Sequence, residues 1–141
     1  MSNPHVPFSV RATIHFRQCD PAGVLFFGEI FGIAHDAYEA FIEHLGFGGD
    51  DWFANDEWAV PIRHSACDYL APMRRGETYD VLISLDRISE SSFTARYSFE
   101  AEGRKHCEVS LVHAFYDKKK RSKMSVPSDI RARLEAYQRQ S

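Results

Sequence analysis

From Phe8 to Arg17 the side chains alternate, with Phe8, Val10, Ala12, Ile14 and Phe16 on one side and Ser9, Arg11, Thr13, His15 and Arg17 on the other. A period of two over this stretch predicts a half-buried strand. The segment Cys19-Asp20-Pro21-Ala22-Gly23 then breaks the alternation with turn chemistry: Asp first, Pro next, Gly fourth. A short apolar run, Val24 to Phe27, follows. From Gly28 to Leu45 the period becomes 3.6, with Ile30, Phe31, Ile33, Ala34, Ala37, Tyr38, Phe41, Ile42 and Leu45 on one broad face. This predicts one long helix, with Gly46 as its stop.

Beyond Gly46 the segment FGGDDWFANDEW reads as loop. Four strand-like runs come next, at about 59–71, 77–88, 92–102 and 106–117, separated by short turns at Pro72 to Gly76, Ser89 to Ser92, and Glu102-Gly103-Arg104. Connections this short favour antiparallel pairing, because a parallel crossover needs about a dozen residues or more. A polar helix is expected from about Ser128 to Arg139, with Ser128 as its cap and Arg131 an early basic residue. No repeat, low-complexity tract or linker interrupts the 141 residues, so residues 1–141 read as a single domain. One strand, one long helix and then four strands is an α+β layout in which the helix packs on one antiparallel sheet. One helix cannot cover the outer strands of a curled sheet, and their edges favour at least a dimer.

At 44% hydrophobic and 26% charged, the chain has the composition of an ordinary folded domain. No run approaches the roughly 18 apolar residues of a membrane-spanning helix, so no membrane association is expected. The opening MSNPHVPFSV shows no basic-then-apolar leader. Cys19, Cys67 and Cys107 are too few and too far apart for a disulfide framework or a paired Cys metal site, which fits a reducing, cytoplasmic setting. A net charge of -3 argues against nucleic acid as a partner. The basic run Lys118-Lys119-Lys120-Arg121, with Lys123 beyond it, reads as a solvated loop or as a landing site for a phosphorylated ligand.

The chemistry concentrates between the first strand and the helix. A helix N-terminus presents unpaired amides and a partial positive charge, suited to a developing oxyanion. The candidate donors here are the N–H groups of Phe27 and Gly28, the latter with no side chain to obstruct a ligand. Asp20, on the turn just upstream, can attack a carbonyl across from those amides or activate a water to do so.

The stretch Phe16-Arg17-Gln18-Cys19-Asp20-Pro21-Ala22-Gly23-Val24-Leu25-Phe26-Phe27 resembles the active-site segment of hot-dog acyl-CoA thioesterases of the 4-hydroxybenzoyl-CoA thioesterase family. His35-Asp36-Ala37-Tyr38-Glu39, and Ala59 to Ala66 continuing through Asp68-Tyr69-Leu70-Ala71-Pro72 to Gly76, resemble the 1,4-dihydroxy-2-naphthoyl-CoA thioesterase branch. The resemblance spans about residues 8 to 117. It implies a hot-dog fold, an antiparallel sheet wrapped around one long helix (about 28–45), with a short C-terminal helix. It also implies Asp20 as the catalytic carboxylate, the backbone N–H at Phe27 polarising the thioester carbonyl, an active site shared between subunits, and a tetramer built from dimers.

Two positions depart from the family's pattern. Many short-chain members carry Tyr-His where this chain has Phe27-Gly28, which shifts the expectation toward aromatic acyl groups. Some relatives place Arg and Lys where this chain has Ser89-Glu90-Ser91-Ser92, leaving Arg87 or the 118–123 run to hold the coenzyme A phosphates.

Among other residues, His64 lies in the second matching block and is a candidate lining residue of the acyl pocket. Phe26, Phe27 and Phe31 are candidate walls for a flat ring. Glu39 and Glu43, four apart, read as a solvated helix face. His15, His35, His44, His106 and His113 show no ligand spacing, so no metal and no cofactor beyond the substrate's own coenzyme A are expected. The sequence has neither a G-x-S-x-G elbow nor a glycine-rich phosphate loop. Cys19 reads as a small apolar residue. The leading expectation is hydrolysis of an aromatic acyl-CoA, of 4-hydroxybenzoyl or 1,4-dihydroxy-2-naphthoyl type, by a dimer or a dimer of dimers. The alternatives are a short or fatty acyl-CoA as substrate, or a non-catalytic module that senses acyl-CoA.

Overall fold

The computed structural model describes residues 8–139. Residues 1–7, which make up most of the segment without a leader pattern, lie outside them, as do 140–141. Strand β1, Phe8–Thr13, half-buries alternate side chains as the period-two pattern predicts. The alternation ends earlier than the sequence suggests. At Phe16–Gln18 the chain tightens into a 3-10 turn, closed by the His15 amide donating to Gln18 Oε1 at 2.8 Å, and Phe16 is left 80% exposed. Gln18, not Phe16, is the residue that turns inward.

Helix α1, Glu29–His44, is the long helix of the periodicity, with Gly28 and Leu45 as its caps. It buries Ile30, Ile33, Ala34, Ala37, Tyr38, Phe41 and Ile42. Full burial of one large apolar side chain contributes roughly 1.5–3 kcal/mol, so this face anchors the fold. Gly46 ends the helix at φ +92°, a left-handed conformation that disfavours any other residue. The expected loop after it contains a one-turn helix, α2, Gly49–Phe53. Trp52 draws it in: the indole is buried and its N–H donates to the Tyr38 hydroxyl at 2.7 Å.

The expected run 59–71 divides. Trp58–Ala59 (β2) and Ile62–Tyr69 (β3) are separate strands, parted at Pro61, which has no N–H to give to a ladder. Strands β4 (Thr78–Ile88), β5 (Ser92–Ala101) and β6 (Arg104–Ala114) follow near their expected positions. The five main strands run β1-β4-β5-β6-β3, with every neighbouring pair antiparallel. The last expected strand breaks at the fully buried Phe115. Beyond it β7, Tyr116–Asp117, joins β2 and β8, Ser122–Lys123, in a small second sheet.

Helix α3, Ser128–Glu135, is shorter than expected, and its cap is Pro127 rather than Ser128, which is the first helical residue. The chain leaves this helix because β4 captures it. Leu85 N–H donates to Tyr137 C=O at 3.0 Å, and Arg139 N–H to Leu85 C=O at 2.7 Å. Arg131 serves the tertiary structure, donating to the Ser89 carbonyl at 2.5 Å, and Arg133 donates to the Leu45 carbonyl at the end of α1. With α1 packed on β1, β4 and β6 of the sheet and α3 against β4, the architecture is the α+β hot-dog arrangement. Strand β3 forms one edge of the main sheet, and nearly all of its residues are exposed.

Candidate active site

Asp20 sits on a small hairpin between the 3-10 turn and α1. Backbone bonds close it at every level. Asp20 N–H donates to Val24 C=O at 2.9 Å, Gly23 N–H to Asp20 C=O at 2.9 Å, and Phe26 N–H to Gln18 C=O at 2.8 Å. The hairpin is also tied to the β3–β4 connection, through Leu25 N–H to Met73 C=O at 2.7 Å and Arg75 N–H to Gly23 C=O at 3.3 Å. The turn needs Gly23, which lies at φ +79°.

The carboxylate is oriented by the same turn. Asp20 Oδ1 accepts from Ala22 N–H at 2.9 Å and from Val24 N–H at 3.3 Å. Among the described residues Oδ2 has no partner, so one oxygen holds the side chain and the other is free to react. The half-buried Asp20 lines a cleft of about 530 Å³ with Phe16, Arg17, Cys19, Pro21, Gly23 and Arg75.

Phe27 and Gly28 begin just past the closed hairpin. They are the central residues of a turn sealed by Glu29 N–H donating to Phe26 C=O at 2.9 Å. Among the described residues neither the Phe27 nor the Gly28 amide has a protein partner. Both amides therefore stand open at the positive end of α1, as an oxyanion site requires. The Phe26 and Phe27 rings pack on each other at 4.8 Å and are 50% and 65% exposed. Beside them is an apolar recess of about 330 Å³, lined by Val24, Leu25, Tyr69, Leu70, Pro72 and Met73 among others.

The structure does not bring every candidate together. Phe31 is half-buried in the first turns of α1, packed against the core. His64 lies on β3 opposite Val112, on the sheet face away from the one where Cys67 and Tyr69 oppose the buried Val109 and Cys107. It lines neither the Asp20 cleft nor the apolar recess. Arg87 is exposed at a bulge in β4, and Lys118 to Arg121 form the β7–β8 turn, which is folded over Asp117. None of these lines the Asp20 cleft either. Glu39 and Glu43 are exposed on α1. Among the described residues no group of three or more His, Cys, Asp or Glu is placed to hold a metal, and no helix is long and apolar enough to cross a membrane.

Two contributors had no assigned role in the sequence. Arg75 enters the cleft because the β3–β4 turn is bonded to Gly23, a contact between segments about fifty residues apart. Tyr69 reaches the helix start, where its hydroxyl donates to the Phe27 carbonyl. Burial, with the thiols of Cys67 and Cys107 nearby, pushes the Tyr69 phenol up to about 12, so it remains a donor at neutral pH. The alternation along β3 places Tyr69 on the inner face with Cys67, a signal available from the sequence.

A five-stranded antiparallel sheet packed on one long helix, with a carboxylate turn just upstream of open amides at the helix start, is the arrangement of a hot-dog protein. Residues 14–134 match the family model of the thioesterase-like superfamily, and the chain belongs to that superfamily. It is 30% identical over 132 residues to a 1,4-dihydroxy-2-naphthoyl-CoA hydrolase of Nostoc punctiforme, covering 94% of this chain and 89% of that one. The fold is shared with a thioesterase superfamily structure from Jannaschia sp. CCS1, at TM-score 0.87 and 17% identity over 99% of both chains. It is likewise shared with a 1,4-dihydroxy-2-naphthoyl-CoA thioesterase from Synechocystis, at TM-score 0.82 and 19% identity over 90% of this chain and 94% of that one.

Proposed function

We propose that the protein hydrolyses an aromatic acyl-CoA thioester to the free acid and coenzyme A, with Asp20 as its catalytic carboxylate. The observation that carries this reading is the divided role of Asp20: Oδ1 is held by two turn amides while Oδ2, in an open cleft, has no partner among the described residues. A purely binding site gains nothing from a fixed, half-free carboxylate. The relatives named for naphthoyl-CoA hydrolysis support an aromatic acyl group, and the apolar recess by Tyr69 and Leu70 has room for a flat ring.

In this reading the thioester oxygen accepts hydrogen bonds from the Phe27 and Gly28 amides. Asp20 Oδ2 either attacks the carbonyl carbon or takes a proton from the water that does. The tetrahedral adduct collapses by breaking the carbon–sulfur bond, and coenzyme A leaves as a thiolate that needs little acid assistance. If Asp20 attacks, water then cleaves the resulting anhydride. Either route consumes one water per thioester. Arg17 and Arg75, at the cleft rim, are suited to the phosphates of coenzyme A.

The same reading includes a dimer, or a dimer of dimers, formed through the exposed β3 edge, and a cytoplasmic setting suited to three free thiols. The test is free-thiol release from 4-hydroxybenzoyl, 1,4-dihydroxy-2-naphthoyl, phenylacetyl, acetyl and palmitoyl thioesters, with Asp20→Asn alongside. Preference for an aromatic thioester, lost in the variant, is expected. An unchanged rate in Asp20→Asn overturns the role of Asp20, and a preference for acetyl or palmitoyl overturns the acyl assignment.

A further inference from the structure

The Phe27–Gly28 peptide is the central peptide of a tight turn, closed on either side by Phe26 C=O and Glu29 N–H at 2.9 Å. Such a peptide can rotate by about half a turn, exchanging a type I for a type II geometry while the ends of the turn stay in place. A type II turn requires positive φ at its third residue, which glycine adopts readily. Here that residue is Gly28, found at φ -72° and ψ -21°, the type I arrangement. A flip would reverse the Phe27 carbonyl and the Gly28 N–H together. The Phe27 ring is 65% exposed, and the position lies before the first residue of α1, outside the helix's own hydrogen-bond ladder.

Among the described residues one side chain bonds to this peptide. Tyr69, reaching from the inner face of β3, donates its hydroxyl to the Phe27 carbonyl. We propose that Tyr69 is a positioning residue that locks the Phe27–Gly28 peptide in the orientation that aims the Gly28 N–H at the substrate carbonyl. The lock works through the carbonyl at the other end of the same peptide. The hydrogen bond also polarises that peptide, which strengthens Gly28 as a donor. Because an oxyanion donor is effective only when it is already oriented, the hydroxyl acts on turnover more than on substrate affinity. The inference rests on the proposed role of the Gly28 amide, but the lock itself can be observed without turnover.

The experiment compares wild type, Tyr69→Phe, Gly28→Ala and the double variant, on whichever thioester of the panel is hydrolysed best. Tyr69→Phe should lower kcat by about tenfold, less than outright loss of an oxyanion donor, with KM within about twofold and an unchanged melting midpoint. Alanine at position 28 disfavours positive φ and so suppresses the flip by another route. In that background Tyr69→Phe should therefore cost much less. An unchanged kcat, a change confined to KM, or an equal loss in both backgrounds overturns the proposal.

Independently of activity, the Gly28 amide resonance should broaden in Tyr69→Phe through exchange between two peptide orientations. A resonance as sharp as that of wild type overturns the lock even where no thioester is turned over. If Tyr69→Phe fails to fold, 3,5-difluorotyrosine at position 69 keeps the shape and ionises well below tyrosine in the same site, within reach of a pH profile. Turnover, or the Gly28 line width where there is none, should then follow that ionisation, and a flat profile overturns the proposal. An unchanged rate in Asp20→Asn would instead refute the catalytic reading while leaving the lock to be judged by the Gly28 resonance.

Discussion

His113 lies flat against Tyr38 in the centre of the core, the rings 4.2 Å apart and within 13° of parallel. Phe93 stacks on its other side at 4.9 Å, and Nε2 lies 3.2 Å from the Tyr97 hydroxyl. Nδ1 is buried with no partner among the described residues. Burial pushes the imidazole down to about 3, so it is neutral in the folded protein at any ordinary pH.

A pH dependence of stability follows from this. The unfolded imidazole protonates near pH 6.5, so below that the unfolded state binds one proton more than the folded state. Stability from this group is complete above about pH 6.5 and falls as pH drops toward 3, by up to about 1.4 kcal/mol per pH unit. Urea unfolding at pH 8, 6, 5 and 4 measures the slope. His113→Phe should be less steep than wild type, and equal slopes would remove His113 as the source.

Gly23→Ala should damage both stability and activity. Its φ of +79° costs an alanine roughly 1–2 kcal/mol, although its Cβ would meet no atom within 4 Å. Relief of that strain would shift the turn amides that hold Asp20 Oδ1. A lower melting midpoint together with slower thiol release is the expected result.

Gly28→Ala should behave differently, because Gly28 already has a conformation that alanine adopts easily. The added Cβ would lie 3.3 Å from the Phe26 ring, the far end of a side chain that is half exposed. Stability should stay within about 0.5 kcal/mol of wild type. The displaced ring should appear as a higher KM for aromatic thioesters in steady-state kinetics.

The exposed β3 edge predicts self-association. Light scattering should give a mass of at least two chains, and a monomer at all concentrations would remove the edge as an interface.

The sequence disclosed what repeats along the chain. Period two marked β1 and the main strands, and period 3.6 bounded α1 to within a residue at each end. The Asp20 turn was legible because Asp, Pro and Gly each have a local reason to be where they are. What could not be read was set by distant partners. The α2 turn depends on Trp52 finding the Tyr38 hydroxyl, and the early end of α3 depends on backbone bonds to Leu85. Within the candidate site, Arg75 and Tyr69 owe their places to contacts with segments about forty to fifty residues away. His64, chosen for its motif neighbourhood, lies on the outer sheet face because alternation along β3 sends even and odd positions opposite ways.

Among the described residues the hydrogen bonds that join the Asp20 hairpin to the 73–75 turn are main-chain ones: Leu25 to Met73, and Gly23 to Arg75. The geometry of the Asp20 turn and the chemistry of the cleft rim are thereby separable. The side chains at positions 74 and 75 can change identity while the same backbone bonds continue to hold the carboxylate in place. A scaffold wired in this way can acquire a new substrate preference in single steps, each leaving the reaction itself intact.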